Sequence, residues 1–243
     1  MPILPLLYTI VMNIPSHIQA VVDKIFLDTK PICIFLYGSM SRGDNNSESD
    51  YEIGVLYNKI SKVPRSTLAK FHNIPELKFY PFTIEDLQSF NLDTPFPKKL
   101  YILGLIANAK ILKGQDVFKD ITLQKINNED LIELVAFSLG RAYCAVVSSR
   151  QNDAIAVTEN FTKSVFYGLQ GLAFVRTNKI THSYRELQSL IPDLQIPDEY
   201  SELINHAFAV RFNGEQINNG LLYTNISFLN MFVMPLAKKY SNA

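Results

Sequence analysis

Two carboxylates, Asp50 and Glu52, stand one residue apart at the start of the apolar stretch 51–57. In a β-strand, residues i and i+2 project from the same face, about 7 Å apart at the backbone. Carboxylates held so close repel each other unless a cation lies between them. Mg²⁺ is the ion that proteins commonly bind through one or two carboxylates together with substrate phosphates. The pair therefore predicts a magnesium site on a strand.

A turn rich in hydrogen-bond donors precedes this pair. Gly38 and Ser39 follow the apolar run ICIFLY, and Arg42 lies three residues further on. Glycine directly after a strand lets a phosphate approach the backbone, where N–H groups, the Ser39 hydroxyl and the Arg42 guanidinium can bind it. Each feature alone is common in solvated turns. Their order predicts a nucleoside triphosphate site, whereas the GxxxxGK[ST] and GxGxxG phosphate loops are absent from the sequence.

The pattern resembles the signature of the DNA polymerase β-type nucleotidyltransferase superfamily, in which Gly-Ser, a short spacer and Asp-x-Asp/Glu follow one another. Here ten residues separate Ser39 from Asp50. The Asp-x-Glu form is similar to the aminoglycoside (kanamycin) nucleotidyltransferases. The resemblance implies a nucleotidyltransferase domain with a small mixed sheet, followed by a helical domain that completes the active site.

That family carries a third carboxylate on a later strand, in a Glu-apolar-x-Phe-Tyr pattern that residues 76–80 match. The resemblance therefore implies that Asp50, Glu52 and Glu76 are the catalytic residues and the ligands of one or two Mg²⁺ ions. A solvated glutamate at the start of a strand is the alternative interpretation of Glu76.

The aminoglycoside enzymes also present a general base Glu and, four residues later, a Lys to the triphosphate from a helix of the second domain. The corresponding stretch here places Arg141 in the cationic role, because it can bind phosphate with a fixed charge. Phe137 stands at the position of the base, which leaves Glu133 or Glu159 as candidates. A surface arginine on a helix is the alternative for Arg141.

The second half of the chain also resembles the HEPN-type helical domains that accompany minimal nucleotidyltransferases. Arg176 and His182, with five residues between them, would loosely satisfy the Arg-x(4–6)-His ribonuclease motif of some members. The structural interpretation is preferred: Thr181 would cap a helix, and His182 would have no catalytic role.

Hydrophobic periodicity predicts the elements that position these residues. Strands are expected at 32–37, 51–57 and 76–82, with a short one within 109–118. In the first half, helices are expected after caps at Ser16 and Thr83, around 66–71 and at 98–109. From about 128 onward only helices are expected, at 128–149, 153–176, 181–191, after 197 and at 221–239. The fold class is therefore α+β, with a nucleotidyltransferase domain at 1–120 and an all-α, HEPN-like or substrate-binding domain at 121–243.

Composition limits the function classes. The 23 basic and 23 acidic residues balance, which argues against an extended nucleic-acid-binding surface. Cys33 and Cys144 both lie in apolar segments, lack metal-ligand spacing and are predicted to be buried, in keeping with a cytoplasmic protein. The apolar start of the chain is too short to span a bilayer and is interpreted as a packed extension, with Met12 as an alternative start to Met1.

These observations predict a Mg²⁺-dependent enzyme that transfers a nucleoside monophosphate, with ATP preferred as donor, to a hydroxyl-bearing small molecule such as an aminoglycoside. Asp50, Glu52 and Glu76 would bind the metal, and Gly38, Ser39, Arg42 and Arg141 would bind the nucleotide. Two alternatives stay open: an antitoxin-like adenylyltransferase that modifies protein or RNA, and a catalytically inactive nucleotide-binding regulatory module. No membrane partner is expected, and homodimer formation is left open.

Overall fold

The structure is a computed structural model that describes residues 14–45, 49–71, 73–92, 94–122 and 124–240. It combines a small mixed sheet with a helical region that follows it in the chain. The packed N-terminal extension and the choice between Met1 and Met12 lie outside the described residues.

Four strands form the sheet, in the order β3-β2-β1-β4: β1 Cys33–Tyr37, β2 Tyr51–Tyr57, β3 Leu77–Thr83 and β4 Lys110–Gly114. β1 pairs antiparallel with β2 and β4, whereas β2 pairs parallel with β3. All five residues of β1 are buried, as expected of a central apolar strand. The register places Glu52 beside Tyr37 on one side and Lys78 on the other. The four predicted strands are confirmed.

The helices of the first half are α1 Ser16–Thr29, α2 Gly38–Arg42, α3 Arg65–Leu68, α4 Ile84–Ser89 and α5 Lys98–Asn108. The predicted cap of α4 is confirmed, because the Thr83 hydroxyl accepts the Asp86 N–H at 3.0 Å. The predicted Ser16 cap is wrong. Ser16 is already the first helical residue, Pro15 holds the cap position without a side-chain bond, and the Pro15 carbonyl accepts the first N–H groups of α1.

The second half is built from six helices: α6 Asn128–Arg150, α7 Ala154–Thr177, α8 Tyr184–Leu190, α9 Ser201–Asn213, α10 Gly220–Ser227 and α11 Met234–Lys239. A π-helical stretch, Phe228–Val233, joins the last two into one continuous helix. The cap predicted at Thr181 is wrong, because the Ser183 side chain accepts the Glu186 N–H and caps α8 instead. The helical character predicted for this half is confirmed.

A single hydrophobic core joins the two halves. One face of the sheet, represented by Phe35 and Leu56, packs into the same cluster as the buried residues of α6, α7 and α9. The other face packs under α1 in a separate cluster. The domain division at residues 120 and 121 falls in an irregular segment between β4 and α6 and stays a prediction.

The two cysteines differ in environment. Cys33 is fully buried in β1, as predicted. The burial predicted for Cys144 is wrong: it lies on an outward face of α6, beside the exposed Tyr143. Apolar side chains of α6 continue onto its exposed face, so the apolar composition of this segment did not indicate that Cys144 is exposed.

Two helices of the described chain, Asn128–Arg150 and Gly220–Lys239, are long and apolar enough to cross a membrane by length and composition. These two properties are weak evidence of a span, since the core helix of a soluble protein has them as well. The cytoplasmic location stays a prediction.

Candidate active site

The turn after β1 lies directly against the carboxylate of Glu52. Gly38 has φ +74°, and a Cβ built on it would stand 1.7 Å from Glu52 Oε2. The N–H of the next residue, Ser39, donates a hydrogen bond to the same carboxylate. Only glycine fits here, because both the backbone conformation and the contact exclude a side chain. The sequence pair Gly38-Ser39 and the acid Glu52 therefore meet in space.

Burial raises the pKa of Glu52, and the neighbouring charge of Asp50 raises it further. The cations Arg42 and Lys163 and the Ser39 N–H act in the opposite direction, but they do not cancel the burial. The charged form of Glu52 is therefore disfavoured without a further cation. A bound cation, such as a metal ion, would stabilise the charged form of a carboxylate in this environment.

Arg42 is fixed by Asp44, which is only 1% exposed. Arg42 Nε donates to Asp44 Oδ2 at 3.0 Å, and the Tyr184 N–H donates to Asp44 Oδ1 at 2.9 Å. The backbone carbonyl of Asp44 accepts a hydrogen bond from Arg211. The loop after α2 is thus tied to both α8 and α9, which holds the predicted phosphate-binding arginine against the helical half.

Glu76 is not brought together with the other two carboxylates. Its side chain is 64% exposed, and its Oε2 lies 3.2 Å from His17 Nε2 on α1. Instead, Lys78 Nζ lies 4.0 Å from Asp50 Oδ2. Among the described residues, no group of three or more His, Cys, Asp or Glu side chains is arranged to hold a metal ion. The metal-ligand role predicted for Glu76 is not supported by its position.

The register of β3 explains this arrangement. Leu77 and Phe79 pack into the core under α1, so Lys78 and Tyr80 point to the opposite face, where Lys78 stands beside Glu52. Glu76 precedes the first paired residue of β3 and turns toward α1. The strand itself was predictable, but the direction of a side chain just before its first residue was not.

Asp50 and Glu52 open into a cavity of about 730 Å³ between the sheet and the helical half. Gly38, Ser39 and Arg42 line the same cavity. One wall comes from α5 and the segment before it, and the other from a single face of α7. The α7 residues that line it are Ala154, Ile155, Thr158, Glu159, Thr162, Lys163, Tyr167, Gln170 and Phe174.

Glu159 and Lys163 are the charged pair on this face of α7. Lys163 Nζ lies 2.5 Å from Glu159 Oε1. The hydrogen bond from Lys163 lowers the pKa of Glu159, with Arg141 acting in the same direction, so Glu159 is a carboxylate at neutral pH. Lys163 was not predicted. Its signal was nevertheless present, because a Glu followed four residues later by a Lys is the spacing of the aminoglycoside enzymes, on α7 rather than α6.

The stretch of α6 that was predicted to carry the base and the cation, 137–141, contacts α7 beside Glu159 and Lys163. Arg141 Nη1 lies 3.0 Å from Asn160 Oδ1 and 3.6 Å from Glu159 Oε1, and Arg141 is not among the cavity-lining residues. Phe137 packs against the rings of Phe96 and Tyr167. Of the two base candidates, Glu159 lines the cavity, whereas Glu133 is exposed on α6.

The residues of the ribonuclease-type motif lie away from the cavity. Arg176 and His182 are both exposed, and neither lines it. The His182 N–H donates to Glu186 Oε2 at 2.6 Å, next to the cap of α8. This supports the structural interpretation of His182.

Comparison with known proteins assigns no family: no protein-family model matches the chain, and no curated protein matches it. The function is therefore inferred from the sequence pattern and the geometry of the site.

Proposed function

We propose that the protein is a nucleotidyltransferase of the polymerase β-like fold, which transfers AMP from ATP to a hydroxyl group of a small-molecule acceptor in the cytoplasm. One observation carries this proposal. The Gly38-Ser39 turn, the carboxylates Asp50 and Glu52, and the α7 pair that contains Glu159 all line one cavity. A phosphate-binding turn, a metal-binding pair and a base are the groups that nucleotidyl transfer needs.

Asp50 and Glu52 fit one Mg²⁺ ion. Two carboxylates completed by water and phosphate oxygens are a usual donor set for this ion, and the raised pKa of Glu52 is the mark of a carboxylate short of positive charge. When bound, the ion would neutralise phosphate charge and lower the pKa of the acceptor hydroxyl. The proposal leaves Glu76 out of the metal site.

The side chains of the chain itself divide the remaining work. Arg42 and Lys163 bind phosphate oxygens, and the Ser39 hydroxyl assists them, while the Ser39 N–H remains bound to Glu52. The acceptor oxygen attacks the α-phosphorus, the bond to the pyrophosphate oxygen breaks, and pyrophosphate leaves. Glu159, which is ionised at neutral pH, takes the proton of the acceptor hydroxyl at a carboxylate oxygen.

The charged side chains that line the cavity indicate which class of acceptor it can bind. Among the described lining residues, four side chains are cationic and three are carboxylates. Asp50 faces Lys78, and Glu159 is bound by Lys163 and contacts Arg141. A polycationic aminoglycoside would therefore meet few free carboxylates. Within the proposed class of hydroxyl-bearing acceptors, we expect neutral compounds to be better substrates than aminoglycosides.

A regulatory module that binds nucleotide without transferring it is the second candidate. Two observations favour it: Lys78 stands at 4.0 Å from Asp50, and Glu76 contacts His17 rather than the other acids. The protein- or RNA-modifying alternative is favoured by Phe137, which stands where the aminoglycoside enzymes have their base. Glu159, a carboxylate that lines the cavity, is a candidate for that role and weakens this support.

Thermal unfolding with Mg²⁺ and each nucleoside triphosphate tests the proposal. Nucleotide at a hundred times its Kd should stabilise the folded protein by about 2.7 kcal/mol, which raises the Tm of a chain of this size by about 5–10 °C. A screen of acceptors with α-labelled ATP should then show label transfer and pyrophosphate release that Asp50→Asn abolishes. A Tm shift without transfer to any acceptor would favour the regulatory module, and unchanged release by Asp50→Asn would contradict the metal assignment.

A further inference from the structure

The cavity continues past Arg42 to an end formed by α8, α9 and the segment before α8. Thr181 and Arg211 line this end. Thr181 is only 5% exposed, and its hydroxyl oxygen has no hydrogen-bond partner among the described residues. The Nε of Arg211 is likewise buried without a partner in the described part of the chain. Buried donors without partners are uncommon in folded proteins and point to a ligand that supplies acceptors.

Arg211 lies close to Arg42, although the two come from different halves of the chain. Their guanidinium carbons lie 5.8 and 5.7 Å from the centre of the same Tyr184 ring. Both also bind Asp44, Arg42 through the carboxylate and Arg211 through the backbone carbonyl. A ligand that reaches Arg42 is therefore within reach of Arg211.

The charge of Arg211 is not neutralised by a neighbouring side chain. Its hydrogen bond goes to a neutral carbonyl, and none of the ion pairs of the described residues includes it. The carboxylate of Asp44 is already bound by Arg42 and by the Tyr184 N–H. Arg42 is shared between Asp44 and Glu52, so Arg211 is the cation at this end of the cavity to which no described carboxylate is bound.

We propose that Arg211 and Thr181 form a phosphate subsite that adjoins Arg42 and binds oxygens of the polyphosphate of the nucleotide. This inference extends the proposed function and rests on it for the identity of the nucleotide. The triphosphate is then held from both halves, by Arg42 on the sheet side and by Arg211 on α9. Arg211 offers a planar set of donors that suits phosphate oxygens, and the Thr181 hydroxyl adds a neutral donor.

Inorganic tripolyphosphate is the probe, because its binding requires neither a base nor an acceptor. Its Kd, measured by calorimetry, should rise about tenfold in Arg211→Gln, as expected for loss of a charge-assisted hydrogen bond. Thr181→Val keeps the shape of the side chain and should raise the Kd about threefold. Arg185→Gln is the matched control, since Arg185 is exposed on α8 and stacks on Phe212 outside the cavity, so its Kd should not change.

The outcomes separate this inference from the proposed function. Equal tripolyphosphate affinity in Arg211→Gln and Arg185→Gln would overturn the subsite, as would no binding by the wild-type chain. If Arg211→Gln fails to fold without its bond to Asp44, unchanged affinity in Thr181→Val would overturn it instead. An effect of Arg211→Gln on the KM of an acceptor alone, with ATP and tripolyphosphate bound normally, would assign the subsite to the acceptor and contradict the inference. Tripolyphosphate binding that depends on Arg211, in a protein that transfers no nucleotide, would support the subsite and refute the transferase.

Discussion

Replacing Gly38 by alanine should show how the turn after β1 and the carboxylate of Glu52 depend on each other. The substitution forces a side chain into a positive-φ conformation, which costs about 1–2 kcal/mol. It also places the new Cβ 1.7 Å from Glu52 Oε2, so the carboxylate must move and lose its bond to the Ser39 N–H. A hydrogen bond to a charged group contributes about 1.5–3 kcal/mol. Gly38→Ala should therefore lower the free energy of unfolding by about 2.5–5 kcal/mol, the sum of these two ranges.

Gly43 provides a matched control. It also has φ +74° and stands at the other end of α2, as its C-cap, but a Cβ there would meet nothing within 4 Å. Gly43→Ala should therefore show the backbone cost alone, about 1–2 kcal/mol. The difference between the two variants, about 1.5–3 kcal/mol, corresponds to about 3–12 °C in Tm for a chain of this length.

The assay is thermal and urea unfolding of both variants, in the wild-type and the Glu52→Ala background. Removing the Glu52 side chain removes the clash, so in that background the two alanine variants should destabilise equally. If Gly38→Ala destabilises the wild-type background no more than Gly43→Ala, the contact between Gly38 and Glu52 is refuted as the reason for the glycine.

Two further predictions concern the acids. Glu159→Gln should lower kcat by about 10²–10⁴-fold with little change in the KM for ATP, because it removes the proposed base. In steady-state kinetics with labelled ATP, Glu133→Gln, on the exposed face of α6, should stay near wild type. Equal losses of kcat in the two variants would contradict the assignment of Glu159. Because the pKa of Glu52 is raised on folding, its contribution to stability is present below the unfolded pKa and is lost as the pH rises through the folded value. Without Mg²⁺, Glu52→Gln should therefore be more stable than wild type at neutral pH and should lose this advantage near pH 4 in urea unfolding; a wild-type advantage at neutral pH would contradict the burial argument.

The part of the site that is local in sequence was predictable. Gly38, Ser39, Arg42, Asp50 and Glu52 lie within fifteen residues, from 38 to 52: the first three on α2, directly after β1, and the two acids at the start of β2. A strand followed by a turn and an antiparallel strand brings them together with little freedom, because the register of β1 and β2 fixes which side chains face one another.

The part contributed by the helical half was not predictable in the same way. Phe137 and Glu159 lie on α6 and α7, which pack closely side by side, and the sequence alone does not show which of the two helices presents a carboxylate to the cavity. Thr181 and Arg211 reach the cavity only through tertiary packing of α8 and α9 against Asp44. No periodicity within either segment indicates that contact.

The contact between Lys78 and Asp50 is one of the two observations that favour the regulatory module, but the energetics of this ion pair do not oppose metal binding. Lys78 and Asp50 are 51% and 41% exposed, and an exposed ion pair of this kind contributes about 0–1 kcal/mol. A metal–nucleotide complex bound with even millimolar affinity contributes about 4 kcal/mol. Displacing the Lys78 ammonium from Asp50 would therefore not prevent the metal from binding. The ionised state of Glu159 does not separate the two functions, because a solvated glutamate is a carboxylate at neutral pH in either case. Its place does: Glu159 lines the same cavity as Asp50 and Glu52, where a carboxylate can accept the proton of an acceptor hydroxyl, and nucleotide binding alone requires no such group.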